Sequence, residues 1–142
     1  MRSVSLLTRW FLPLLLVGMT AGCADVFAPD CVSVNTDCAP LYEPTFENVY
    51  QQTLVSKCAV AGGACHAAAG GKGGLVLEGL DVAYDSLVGG GSPLVNVATP
   101  GCSSLAVRLE SDEASYVMPL GAKLSDAERC AIHQWVAGGA AK

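Results

Sequence analysis

Apolar residues recur at helical spacing in four stretches of this chain, and each stretch is bounded by residues that start or stop helices. Thr45 caps the first, in which Phe46, Val49, Tyr50 and Leu54 fall on one face and which ends near Lys57 and Cys58. A short second helix over 81–88 offers Ala83, Tyr84, Leu87 and Val88 for packing and stops at Gly89-Gly90-Gly91-Ser92-Pro93. The turn-rich run Val97-Ala98-Thr99-Pro100-Gly101 leads to a third over 103–109, with Leu105, Ala106 and Leu109 on its apolar face. Ser125-Asp126-Ala127-Glu128 is a capping box opening a fourth helix, which runs to about Ala137 with Ile132, Trp135 and Val136 inward and stops at Gly138-Gly139. Only Leu75 and Leu77 alternate, no internal repeat is visible, and nothing reads as a parallel sheet, so the pattern predicts a small all-α fold.

The first 22 residues follow a different logic. Arg2 and Arg9 precede an apolar run from Trp10 to Val17, then small residues and Cys23, the layout of a secretory signal whose core is too short to span a membrane. Small residues before Cys23 resemble a bacterial lipobox, which implies that Cys23 carries lipid and becomes the mature N-terminus. Ala24 after it, in place of aspartate, points to the outer membrane, with the protein in the periplasm or at the cell surface. From there to Pro44 the chain is proline-punctuated and lacks a helical period, as expected of an extended tether. The expected organisation is therefore a signal over 1–22, a tether over 23–44 and a helical domain over 45–140.

The chain carries 8 Lys+Arg against 13 Asp+Glu. Removing Arg2 and Arg9 leaves six against thirteen, a net charge of −7, which argues against a nucleic-acid partner. About 120 residues after processing leave room for only a limited core, so a cofactor or disulfides would help stabilise it. With Cys23 set aside, Cys31, Cys38, Cys58, Cys65, Cys102 and Cys130 remain, and six thiols pair in fifteen ways. The expected partition joins Cys31 to Cys38 and Cys102 to Cys130, an oxidising compartment permitting both. Cys58 and Cys65 are kept for chemistry or, failing that, bonded to each other.

That chemistry is suggested by Cys65-His66 with Met118-Pro119 downstream. Thiols anchor the vinyl groups of a porphyrin, an imidazole binds iron, and a thioether supplies the second axial ligand, which together make a c-type haem site. Met118 is the one methionine left after processing, since Met1 and Met19 lie in the signal. Gly62-Gly63, Gly70-Gly71 and Gly73-Gly74 surround the pair and let backbone approach a flat ligand. His133, mid-helix beside Gln134, reads as solvent-facing.

Thr45 to Ala140 resembles small class I c-type cytochrome domains, including the variant common in secreted proteins of planctomycetes and myxobacteria. The matching pieces are Phe46 to Cys58, Cys65-His66, Gly73-Gly74-Leu75-Val76-Leu77, Thr99-Pro100-Gly101 with Ser104-Leu105, Met118-Pro119-Leu120-Gly121, and Leu124 to Gly139 with Trp135. The resemblance implies one haem c, with Cys65 in a thioether bond and His66 and Met118 as axial ligands. It implies electron transfer to a redox partner protein and no enzymatic activity. Phe46, Tyr50, Leu75, Leu77, Leu105 and Trp135 are candidates for the haem wall or for helix packing.

The sequence departs from the family at the first cysteine, whose usual place is Gly62, while here six residues separate Cys58 from Cys65. Cys58 then reaches the second vinyl group across a bulge, or haem hangs from Cys65 alone, or the two thiols form a disulfide in a haem-free surface lipoprotein with an interaction or structural role. Other chemistry fits less well. Zinc-finger spacing is absent, Cys58 follows a helix C-terminus whose dipole disfavours a thiolate, and no nucleophile accompanies His133.

Overall fold

The computed structural model describes residues 30–60, 63, 65–90 and 93–142. The signal segment and the lipidation candidate Cys23 lie outside them. Among the described residues every regular element is helical. Helix α1, Phe46–Val49, starts at Thr45, whose side-chain oxygen accepts the N–H of Asn48. It runs on without a break as a π-helical stretch, Tyr50–Cys58, in which the bonds reach five residues, as in Ala59 N–H to the Leu54 carbonyl at 2.9 Å. Helix α2 is Leu80–Val88, α3 is Ser104–Glu110 and α4 is Asp126–Ala137. Single 3-10 turns at Lys72–Gly74 and Pro100–Cys102 complete the set.

The periodic apolar faces meet in one core. Phe46 is its hub, with ring centroids 5.0 Å from Tyr84, edge-on, and 5.2 Å from Trp135. Val49, Leu54, Leu87, Leu109, Ile132 and Val136 close around it. The capping box is formed in full: Ser125 accepts the Glu128 amide while the Glu128 carboxylate accepts the Ser125 amide. Glu128 also pairs with Lys57 at 2.5 Å, fixing the end of the π-helical stretch to the start of α4. Past α4, the Trp135 indole donates to the Ala141 carbonyl at 2.8 Å and the Tyr84 hydroxyl to that of Ala140 at 3.0 Å, so the chain end folds back over the core.

Two expectations change here. The expected pairs, Cys31 with Cys38 and Cys102 with Cys130, exchange partners: Cys31 bonds to Cys102 and Cys38 to Cys130. The segment 30–44, placed in a tether by the sequence, accordingly lies along the helical body. Val32 N–H donates to the Gly101 carbonyl at 2.9 Å, and the Gln134 amide donates to the carbonyls of Thr36 and Cys38. Gly101 has to be glycine, because a Cβ there would collide with the Val32 carbonyl. The cross-links span 71 and 92 residues, and closing loops of that size in the unfolded chain is worth about 4 kcal/mol each by the loop-entropy estimate.

Candidate functional site

His66 is held by backbone on three sides. Its N–H donates to the Cys58 carbonyl at 3.2 Å, and its own carbonyl accepts the Leu77 N–H at 2.7 Å. Its ring atom Nδ1 lies 3.2 Å from the Leu75 carbonyl oxygen, which can only accept, so the proton of the neutral ring sits on Nδ1 and Nε2 keeps its lone pair. The 3-10 turn Lys72–Gly74 brings Leu75 to this position. It starts from left-handed Gly71 and passes through Gly73 at φ +66, a conformation side chains resist. The Tyr50 hydroxyl, reaching from the π-helical stretch, accepts the Gly79 N–H at 2.9 Å and ties down the far end of the same segment.

His66 and Met118 line one cavity of about 360 Å³. Eight leucines contribute to its lining: Leu54, Leu75, Leu77, Leu87, Leu94, Leu105, Leu109 and Leu124. The volume and the apolar wall with a few polar groups are those of a small-molecule or cofactor site. Met118 is carried there by the 111–117 loop, and its N–H donates to the Arg108 carbonyl at 2.9 Å. The peptide bond from Met118 to Pro119 is cis.

Cys58 also lines the cavity, half-buried at the end of the π-helical stretch, whereas Cys65 is exposed. Both are free thiols, so the expected fallback of a Cys58–Cys65 disulfide is not formed in this structure. Burial pushes the Cys58 thiol up to about 11, with the neighbouring Cys65 adding to the effect. Cys58 is thus a protonated thiol at neutral pH, the opposite of what thiol-disulfide catalysis requires.

Lys72 and Arg108 bring the cationic groups of the lining. The lining offers an imidazole, a soft thioether, one thiol, leucine walls and two cations, a set that a haem with its two carboxylates would fit. No family model matches the chain, and no curated protein or solved structure matches it either. The site's own chemistry therefore carries the functional reading.

The structure brings Cys58, His66 and Met118 to one cavity and sets Cys65 beside it in sequence. Of the wall candidates, Leu75, Leu77 and Leu105 line the cavity, while Phe46, Tyr50 and Trp135 belong to the core cluster. His133 is a correction: it is 2% exposed, and its Nε2 lies 2.8 Å from Glu110 Oε1, which Arg129 Nε also approaches at 2.9 Å. Its helical position beside Gln134 suggested solvent, but the carboxylate and guanidinium that accompany it come from α3 and from its own preceding turn. Sequence reasoning missed Lys72, Arg108, Tyr116, Leu94 and Leu124. Cations near glycine turns and before an acidic loop were the one available signal.

Proposed function

We propose that this protein is an electron carrier that binds one haem c through Cys58 and Cys65, with His66 and Met118 as its axial ligands. The observation that carries the reading is the shared leucine-lined cavity of His66 and Met118, with Nδ1 of the His66 ring turned to the Leu75 carbonyl, the arrangement that leaves the Nε2 lone pair of the neutral ring free. Haem supplies reversible one-electron chemistry when bound, and no substrate bond is made. The chain's part is to hold and tune. His66 presents a lone pair whose basicity is raised by the Nδ1–H bond, Met118 offers a soft ligand that favours the reduced metal, and the leucines exclude water. Lys72 and Arg108 offer partners for carboxylates at the cavity.

Lipid on Cys23 would hold this carrier at the membrane surface, in the outer membrane by the residue that follows it, with a redox protein as its partner. Each buried methylene of an acyl chain contributes roughly 0.8 kcal/mol to such an anchor. The second reading, a haem-free disulfide-braced surface lipoprotein, is favoured by the two long-range disulfides, which brace the domain without any cofactor. Expression of the full chain with a haem-attachment system separates the two readings. Haem that stays with the polypeptide after denaturation, at the mass of one haem per chain, supports the carrier. Colourless protein supports the brace.

A further inference from the structure

We propose that Arg108 is the positioning residue that keeps Met118 at the cavity, an inference that rests on the haem reading above. Three contacts converge on it. Its carbonyl accepts the Met118 N–H at 2.9 Å, its guanidinium Nη1 donates to the Tyr116 carbonyl at 3.1 Å, and its Cζ stacks 3.6 Å from the Tyr116 ring centroid. The 111–117 loop is otherwise bonded largely to itself, as in Tyr116 and Val117 N–H to the Glu113 carbonyl. Its other tie is Lys123, whose Nζ reaches the Glu110 carbonyl at 2.9 Å and Asp112 at 2.6 Å. Lys123 closes the loop's exposed base, whereas Arg108 grips Tyr116 and the Met118 amide itself. The planar guanidinium bonds and stacks at once, which lysine cannot reproduce.

The consequence is specific. A loop held by Arg108 keeps the thioether in place, and one released from it lets an external ligand compete. The competitor's apparent affinity follows the fraction of chains whose methionine is away.

Four variants of the full chain test this: Arg108→Ala, Tyr116→Phe, Tyr116→Ala and, as control, Lys123→Ala. In the protein expressed without haem attachment, Arg108→Ala should speed exchange of the Met118 amide about tenfold, the size expected from losing a charge-assisted hydrogen bond and its stacking. In the haem-loaded protein, compared per covalently attached haem, the same variant should bind added imidazole about tenfold more tightly. Tyr116→Phe keeps carbonyl and ring and should match the wild type, and Tyr116→Ala should fall between. Unchanged exchange in Arg108→Ala, or equal effects in Lys123→Ala, overturns the assignment. Absence of covalent haem from the wild type defeats the haem reading instead, and the exchange measurement still decides Arg108.

Discussion

Nδ1 of His66 and the carbonyl oxygen of Leu75 lie 3.2 Å apart, and this contact selects Nε2 as the ring's free donor atom. Because the acceptor is backbone, side-chain substitution at 75 leaves it in place. His66→Ala removes the donor itself while sparing both thiols. The expected outcome is a chain that still carries covalent haem but whose visible spectrum has lost its histidine-ligated form. Imidazole added in millimolar amounts, the range of weak unlinked ligands, should restore it. A wild-type spectrum in the variant would remove His66 from the site.

Met118 sits on the same cavity by a different route, through its amide bond to the Arg108 carbonyl. Met118→Ala should leave haem attached, change its ligation and lower its potential, since a thioether ligand favours the reduced metal. Potentiometric titration followed by absorbance reads both effects. An unaltered spectrum and midpoint would return Met118 to the role of a wall residue.

The disulfide between Cys38 and Cys130 joins the segment before α1 to the middle of α4 across 92 residues. Replacing both cysteines with alanine should cost about 3–4 kcal/mol, seen as a lower midpoint with little change of slope in urea unfolding. Loss of less than about 1 kcal/mol would mean that the unfolded chain gains little freedom from the cut.

At Gly101 the N-terminal segment passes too close for any side chain, with Val32 bonded to the Gly101 carbonyl. Gly101→Ala should destabilise the fold by about 1–3 kcal/mol, the usual range for overpacking, and expose the adjacent Cys31–Cys102 disulfide to reduction. Thermal melting and the rate of reduction by a small thiol are the measurements. A variant that melts and reduces like the wild type would show that the segment can shift at no cost.

What could be read from the sequence was local. The Phe46, Val49, Tyr50 and Leu54 stripe and the Ser125–Glu128 box each lie within one turn or two of helix, and both formed as expected. His66 and Met118 were legible because their donor chemistry is scarce in this chain. The pairing of four cysteines was not, since 71 and 92 residues separate the partners and spacing carries no information at that range. Buried His133 was illegible for a similar reason: Glu110, which makes its burial tolerable, stands 23 residues away on another helix. Thr53 joined the buried face because the Tyr42 hydroxyl, 2.6 Å from its own, comes from the segment expected to be a tether.

Glu128 links the site-bearing π-helical stretch to α4 and should make stability depend on pH in a defined direction. Burial works against its ionisation, but Lys57 and the hydrogen bonds from Ser125 outweigh it and hold the carboxyl below its ordinary value. A carboxyl whose folded value is lowered binds its proton more readily in the unfolded chain. Its contribution is therefore fully present above the ordinary carboxylate range, about pH 4–4.5, and is lost as pH falls towards the lowered folded value. Glu128→Gln keeps the shape but removes the charge, so wild type and variant should differ by about 1–2 kcal/mol at pH 7, the combined scale of a helix cap and a half-exposed ion pair. The difference should shrink on acidification and vanish once the wild-type carboxyl is protonated. Lys57→Met, which removes the cation and leaves the capping box, should abolish only part of it. Urea unfolding of the three proteins from pH 7 down to pH 3 reads the effect, and a gap that stays constant with pH would show that the Glu128 charge does not couple these helices.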